Sequence, residues 1–183
     1  MADLSQARVL ILATDGFEES ELFEPRQALI DAGAQVTLAS IGTDPIRGES
    51  GGEKSQRTIT PELTLAQVDP DDYDALILPG GVANPDTMRM QDEAVEIVAD
   101  FMEDDKIVAA ICHGPWLLVE ADVVDGRRVT GWPSIRTDLE NAGADVEDAP
   151  VVVDGNLITS RNPGDIPRFN EAIIKALTEE LVD

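Results

Sequence analysis

Short apolar runs alternate with helix-like segments along this chain, and that alternation restricts it to an α/β fold with a mainly parallel sheet and helices on both faces. "RVLILAT" (8–14) is nearly continuous in apolar residues, as expected of a strand covered on both sides. Periodicity over 21–33 predicts a helix that Gly33 can end, and "AQVTLASI" (34–41) reads as the second strand. Residues 42–63 are rich in turn formers and predict a hairpin excursion rather than a linker. "YDALILPGG" (73–81) is a third buried strand, 91–105 a helix, and "KIVAAI" (106–111) a further strand running into helix-like "PWLLVEADVV". Then follow "RRVTGW", a helix over 134–142, a strand pair turning at Asp154-Gly155, and a closing helix over 165–181. No internal repeat or low-complexity linker interrupts the series, so residues 1–183 read as one flavodoxin-like domain.

Charge speaks to the solvent rather than to the chemistry. The chain carries 37 acidic against 13 basic residues, a formal net charge of −24. Such a field repels nucleic acid and anionic membrane surfaces. The acidic residues are spread among apolar runs rather than gathered in a tail, which argues for a folded domain with a halophile-type surface. The stretch "MADLSQARVLILATDG" lacks a basic n-region and a cleavage site, and no apolar run is long enough to span a bilayer. A cytoplasmic location is expected, in keeping with a single cysteine that cannot form an internal disulfide.

Ligands of open parallel sheets sit beyond the carboxyl ends of the strands. Three features fall there: "TDGFEE", "PGG" and "CHGP". The third has the grammar of a nucleophile elbow, a strand turning directly into a helix with Ala110 and Gly114 two positions either side of Cys112. A thiol there faces a helix N-terminus that favours thiolate. The backbone N–H of His113, with one from Gly81, would form an oxyanion hole. His113 is the only histidine, so a papain-like pairing with a distant histidine is excluded. Adjacent residues rarely point the same way, and His113 is therefore expected to act mainly through its backbone, or to pair with a carboxylate from another segment. One histidine and one cysteine make a poor zinc shell, so no metal and no cofactor are expected. Glu18, Glu19 and Glu21 are the candidate acids: a carboxyl held beside a thiolate stays protonated and can act as general acid and base. A helix-dipole role competes most strongly for Glu19.

The motifs "GFEESEL", "YDALILPGG", "AAICHGPWLL", "GRRVTGWPSI", "NAGA" and "VVVDGNLITSRNPGD" occur in this order, and the chain resembles the ThiJ/PfpI superfamily, especially its PfpI-like intracellular protease branch. The resemblance implies that Cys112 is the nucleophile and that Glu18 is the carboxyl bonded to it. It also implies that Gly81 and His113 line the oxyanion pocket. Trp132 stands where some relatives carry a tyrosine. Asp86, following the PGG loop, matches an acid that approaches the histidine of a neighbouring subunit, and the branch implies dimers assembling into hexamers. The activities implied are a glutathione-independent glyoxalase or deglycase acting on small aldehydes or glycated protein, an intracellular cysteine peptidase, and a cysteine redox sensor or stress chaperone. A thiolate adds to an aldehyde without an activating base, which favours the first.

Overall fold

A computed structural model describes residues 3–180. The strands are β1 (Arg8–Leu12), β2 (Phe17–Glu18), β3 (Gln35–Ser40), β4 (Ile46–Ser50), β5 (Glu53–Ile59), β6 (Leu63–Thr64), β7 (Ala75–Leu78), β8 (Ile107–Ile111), β9 (Arg128–Val129), β10 (Asp145–Val146), β11 (Val151–Asp154) and β12 (Leu157–Ser160). The helices are α1 (Glu19–Asp31), α2 (Ala83–Met88), α3 (Asp92–Glu103), α4 (Trp116–Glu120), α5 (Arg136–Asn141) and α6 (Ile166–Glu180). Seven strands form one sheet in the order β11-β12-β8-β7-β1-β3-β6, parallel throughout except for β11 against β12. This is the expected mainly parallel sheet. Residue 181, the expected last residue of the closing helix, lies outside the described residues.

The apolar runs are continuous because both faces of the central strands are covered. Val9, Ile11, Ile77, Ala109 and Ile111 face a layer containing Leu22 and Leu29 of α1 and Phe169, Ile173 and Leu177 of α6. Leu10, Leu12, Leu76, Leu78, Val108 and Ala110 face the opposite layer, with Ile97, Val98 and Phe101 of α3 and Leu117 of α4. Successive side chains of a strand point to opposite faces, so a strand covered on both sides cannot afford polar residues on either. Full burial of each large aliphatic side chain contributes about 1.5–3 kcal/mol, before the cost of ordering it.

Several elements are shorter than their sequence periodicity suggested. The helix after the elbow covers only Trp116–Glu120, and "RRVTGW" pairs only at Arg128–Val129 before turning toward the site. The strand at 8–14 ends at Leu12, which frees residues 13–16 to form a loop at the sheet's carboxyl edge. The excursion at 42–63 contains a hairpin, β4 and β5, joined through Gly51 and Gly52 at φ +60° and +87°. β2 pairs with β4 in parallel, and this small sheet leans over the same edge. No helix among the described residues is long and apolar enough to cross a membrane.

Candidate active site

β8 delivers Cys112 at the carboxyl edge with φ +63°, in the left-handed region that a non-glycine residue enters only at a cost of about 1–3 kcal/mol. Backbone bonds hold the turn: Cys112 N–H donates to Ser160 O at 3.1 Å, Gly114 N–H to Ile111 O at 2.9 Å, and Trp132 N–H to Cys112 O at 2.9 Å. Gly114 is required because a Cβ would collide with the carbonyls of Leu78 and Ile111. The short α4 presents little dipole, and the donors nearest the sulfur are the backbone N–H groups of His113 and Gly81. Those are the two groups expected to form the oxyanion pocket.

The carboxyl beside the sulfur is Glu21, which corrects the expectation for Glu18. Glu21 is fully buried on α1, and its Oε2 accepts from Gly80 N–H at 2.9 Å. Its Oε1 is buried without a geometric hydrogen-bond partner, and the carboxyl lies within interaction range of the Cys112 thiol. Glu18 precedes the helix in the extended β2 segment, and its Oε2 accepts from Gly51 N–H at 3.1 Å in the hairpin tip. The cause is helix phase. Counting from Glu19, the face that carries Leu22, Pro25 and Leu29 into the core also carries Glu21. Glu19 turns outward, to Ser55 and Arg57 of β5.

Burial raises the Glu21 carboxyl to about 8, helped by the nearby Glu18 charge and opposed by the Gly80 N–H. Burial, then the Glu21 charge, push the Cys112 thiol above its ordinary range, against the N–H groups of His113 and Gly81. A proton on Glu21 removes the charge that opposes the thiolate, while burial continues to oppose it. The folded chain retains the Glu21 proton up to about pH 8, while the unfolded chain releases it near 4.5. Its contribution to stability is present below the unfolded value and is lost as pH rises through the folded one. Urea unfolding should thus show stability falling across that window, by up to about 1.4 kcal/mol per pH unit from this group. Glu21→Gln should remove that component, and a wild-type slope surviving in the variant would refute the assignment.

Gly80 fits between the two groups because it has no side chain. A Cβ there would stand 2.6 Å from Cys112 Cβ and would strike the Glu21 carboxyl. Gly80→Ala should destabilise the fold by about 1–3 kcal/mol through overpacking, and thermal unfolding would register the loss. Asn84 of α2 secures the loop. Its Oδ1 accepts from Thr14 N–H at 2.8 Å, and its Nδ2 donates to the carbonyls of Pro79 and Gly80 at 3.1 Å each. Nothing in the sequence reading singled out Asn84; its place two residues into the helix after "PGG" is the available signal.

The His113 side chain meets the sulfur, a contact beyond the mainly backbone role or carboxylate pairing expected for it. The positive φ at Cys112 turns the neighbouring side chains into one space, with Sγ 3.1 Å from His113 Nδ1. Nε2 lies 3.4 Å from Ser134 Oγ, and burial lowers the imidazole's affinity for a proton. The ring stacks on Trp132 at 5.8 Å between centroids and 24°, and meets Trp116 edge-on at 5.1 Å. Trp132 thus supports the imidazole as well as lining the site.

These groups open into a cavity of about 530 Å³ lined by Glu18, Glu21, Gly81, Cys112, His113 and Trp132 together with Glu49–Gly52 of the hairpin. Asp86 is exposed on α2 and does not line this cavity. The cavity's wall is assembled from segments far apart in sequence: loops at the carboxyl ends of strands of the main sheet, the β4-β5 hairpin tip of the small sheet, and Trp132 beyond β9.

The same framework occurs in known proteins. An uncharacterized protein of Archaeoglobus fulgidus is 49% identical over 170 residues, covering 93% of this chain and 98% of its own. A Thermococcus kodakarensis protein named as a deglycase is 44% identical over 170 residues, covering 93% of this chain and 99% of its own. The crystal structure of Drosophila melanogaster DJ-1beta superposes with a TM-score of 0.85 at 30% identity, over 97% of this chain and 91% of that one. The model of the DJ-1/PfpI family matches residues 7–176, and with these relatives it establishes that the chain belongs to the DJ-1/PfpI family.

Proposed function

We propose that this chain is a cysteine-dependent glyoxalase or deglycase that converts methylglyoxal, or its adducts with amines, to lactate. The observation that carries the reading is the buried, proton-retaining Glu21 carboxyl beside the strained Cys112 thiol. The deglycase named among the relatives supports it.

In this reading His113 starts the cycle. With Nε2–H toward Ser134 Oγ, its Nδ1 accepts the thiol proton across 3.1 Å. The thiolate adds to the aldehyde carbon; a C–S bond forms, and the carbonyl π pair moves to oxygen, which takes the Glu21 proton. With a hemiaminal adduct the C–S bond instead replaces the C–N bond, and the departing amine takes that proton. Both routes end in the same hemithioacetal. Glu21, now a carboxylate, removes the proton from the carbon bearing sulfur and returns it to the adjacent ketone carbon through an enediol, while the hydroxyl proton passes to the former ketone oxygen. The product is a lactoyl thioester. Water then cleaves the C–S bond: its hydroxyl joins the acyl carbon, its proton restores Glu21, the departing thiolate takes the proton held by His113, and lactic acid leaves and ionises to lactate.

Proton NMR of methylglyoxal incubated with the protein tests the proposal. Lactate formed in proportion to enzyme concentration supports it, and consumption of methylglyoxal without lactate would sink it.

A further inference from the structure

Two consecutive peptide groups of the Pro79–Gly81 loop carry donors for the acid and the thiol. Gly80 N–H reaches the Glu21 carboxyl at 2.9 Å, and Gly81 N–H interacts with the Cys112 sulfur and the same carboxyl. The carbonyl ends of those peptides, on Pro79 and Gly80, both accept from Asn84 Nδ2 at 3.1 Å. In a trans peptide the N–H and C=O point in opposite directions across one rigid plane, and no described peptide is cis. Fixing the carbonyl therefore aims the amide at the other end. One side-chain NH₂ group sets the direction of both N–H donors.

The loop needs such a brace. Turning the Gly80–Gly81 peptide over rotates ψ of Gly80 and φ of Gly81, and neither residue has a Cβ to resist it. Both must be glycine, because a Cβ on Gly80 would strike Cys112 Cβ and one on Gly81 the carbonyl of Gly16. Room for the loop and freedom to flip come from the same two residues. Asn84 is buried, and its own Oδ1 is anchored by Thr14 N–H at 2.8 Å. Glu18 N–H gives the Gly80 carbonyl a second, longer hold at 3.3 Å.

We infer that Asn84 is a positioning residue whose side-chain amide keeps the Gly80 and Gly81 N–H groups aimed at the Glu21 carboxyl and the Cys112 sulfur, and so sustains the reactivity of the thiol. The inference rests on Cys112 as the reactive group of the proposed chemistry and adds a residue that does not line the cavity. With the Gly80–Gly81 peptide turned over, the sulfur loses a donor and faces a carbonyl oxygen instead, and both changes oppose the thiolate.

Alkylation of Cys112 by iodoacetamide, followed by mass spectrometry of the intact protein, tests this without any turnover. At pH 7 Glu21 keeps its proton with or without the Gly80 bond, so the rate reports the donors of the sulfur itself. Asn84→Ala is uncharged and has no donor, and it should slow labelling about tenfold or more, the effect of losing one hydrogen bond to a charged group. Asn84→Ser keeps one hydroxyl and should fall between Asn84→Ala and the wild type. Met88→Val, on the buried side of the same short helix, removes packing but no hydrogen bond from the loop. It should lower the melting temperature and leave labelling close to the wild-type rate. All rates are taken where circular dichroism shows the variant folded. Wild-type labelling in folded Asn84→Ala or Asn84→Ser overturns the inference, as does a loss in Met88→Val matching that of Asn84→Ala. If labelling changes as expected and no lactate forms from methylglyoxal, the carbonyl chemistry falls and the positioning role stands.

Discussion

Cys112→Ala should lower lactate formation from methylglyoxal by at least roughly 10⁴-fold, as removal of a nucleophile does in enzymes that use one covalently. The reason is specific to this site. Every step proposed here passes through a bond to sulfur, and no second cysteine exists in the chain. Cys112→Ser is the informative companion, since it keeps a hydroxyl in the same elbow at nearly the same volume. The hydroxyl is far less acidic than the thiol, so His113, whose proton affinity burial lowers, cannot ionise it effectively. Both variants should retain the circular dichroism of the parent. Turnover in the alanine variant matching that of the wild type would remove Cys112 from the mechanism.

Glu21→Gln should cost about 10²–10⁴-fold in the same assay, the usual size of a general acid–base contribution. The amide still fits the space and can still accept from Gly80 N–H, so the loss isolates proton transfer from packing. Alkylation of Cys112 by iodoacetamide separates the two roles further. A glutamine NH₂ in place of Oε1 can donate toward sulfur and carries no charge to oppose the thiolate, so alkylation at neutral pH should persist or accelerate while turnover collapses. Glu18→Gln should produce a much smaller loss with methylglyoxal, which is uncharged. Equal losses in the two variants would return the acid role to Glu18, and full activity in Glu21→Gln would end it for Glu21.

The contrast between these two glutamates marks the boundary of what is legible in the chain. Both lie in "GFEESEL", and a carboxyl near the thiol was foreseeable from that segment. Choosing between them required the starting residue and rotation of α1, which one turn of local sequence does not determine. A usable signal existed in the spacing of Glu21 with Pro25 and Leu29, at i, i+4 and i+8, which places the glutamate on the apolar stripe. Glu18 resembles the better candidate only while the helix phase is unknown.

The contact of the His113 side chain with the sulfur was not legible for a related reason. Adjacent side chains diverge on a regular strand or helix, and the expectation assumed one. At φ +63° the backbone of Cys112 belongs to neither, and the imidazole reaches the sulfur. The strain is sustained by contacts made elsewhere: Ser160 and Trp132 hold the peptide groups of Cys112, while the bare Gly80 leaves room beside it. None of these is adjacent to Cys112 in sequence.

What the sequence by itself determined is the layer order and the location of the chemistry. Strands with apolar residues on both faces must be sandwiched between helices, and loops at the carboxyl ends of parallel strands must share one edge. That brings "TDGFEE", "PGG" and "CHGP" together whatever the details of packing. The tertiary structure alone decided which carboxyl meets the sulfur, where the imidazole points, and that the Gly51–Gly52 hairpin tip closes over the site with Glu18 and Glu49 at its mouth. These depend on helix rotation, one left-handed backbone angle and a strand pairing between distant segments. Each is a long-range geometric outcome, settled by the packing of the whole domain rather than by the residues on either side.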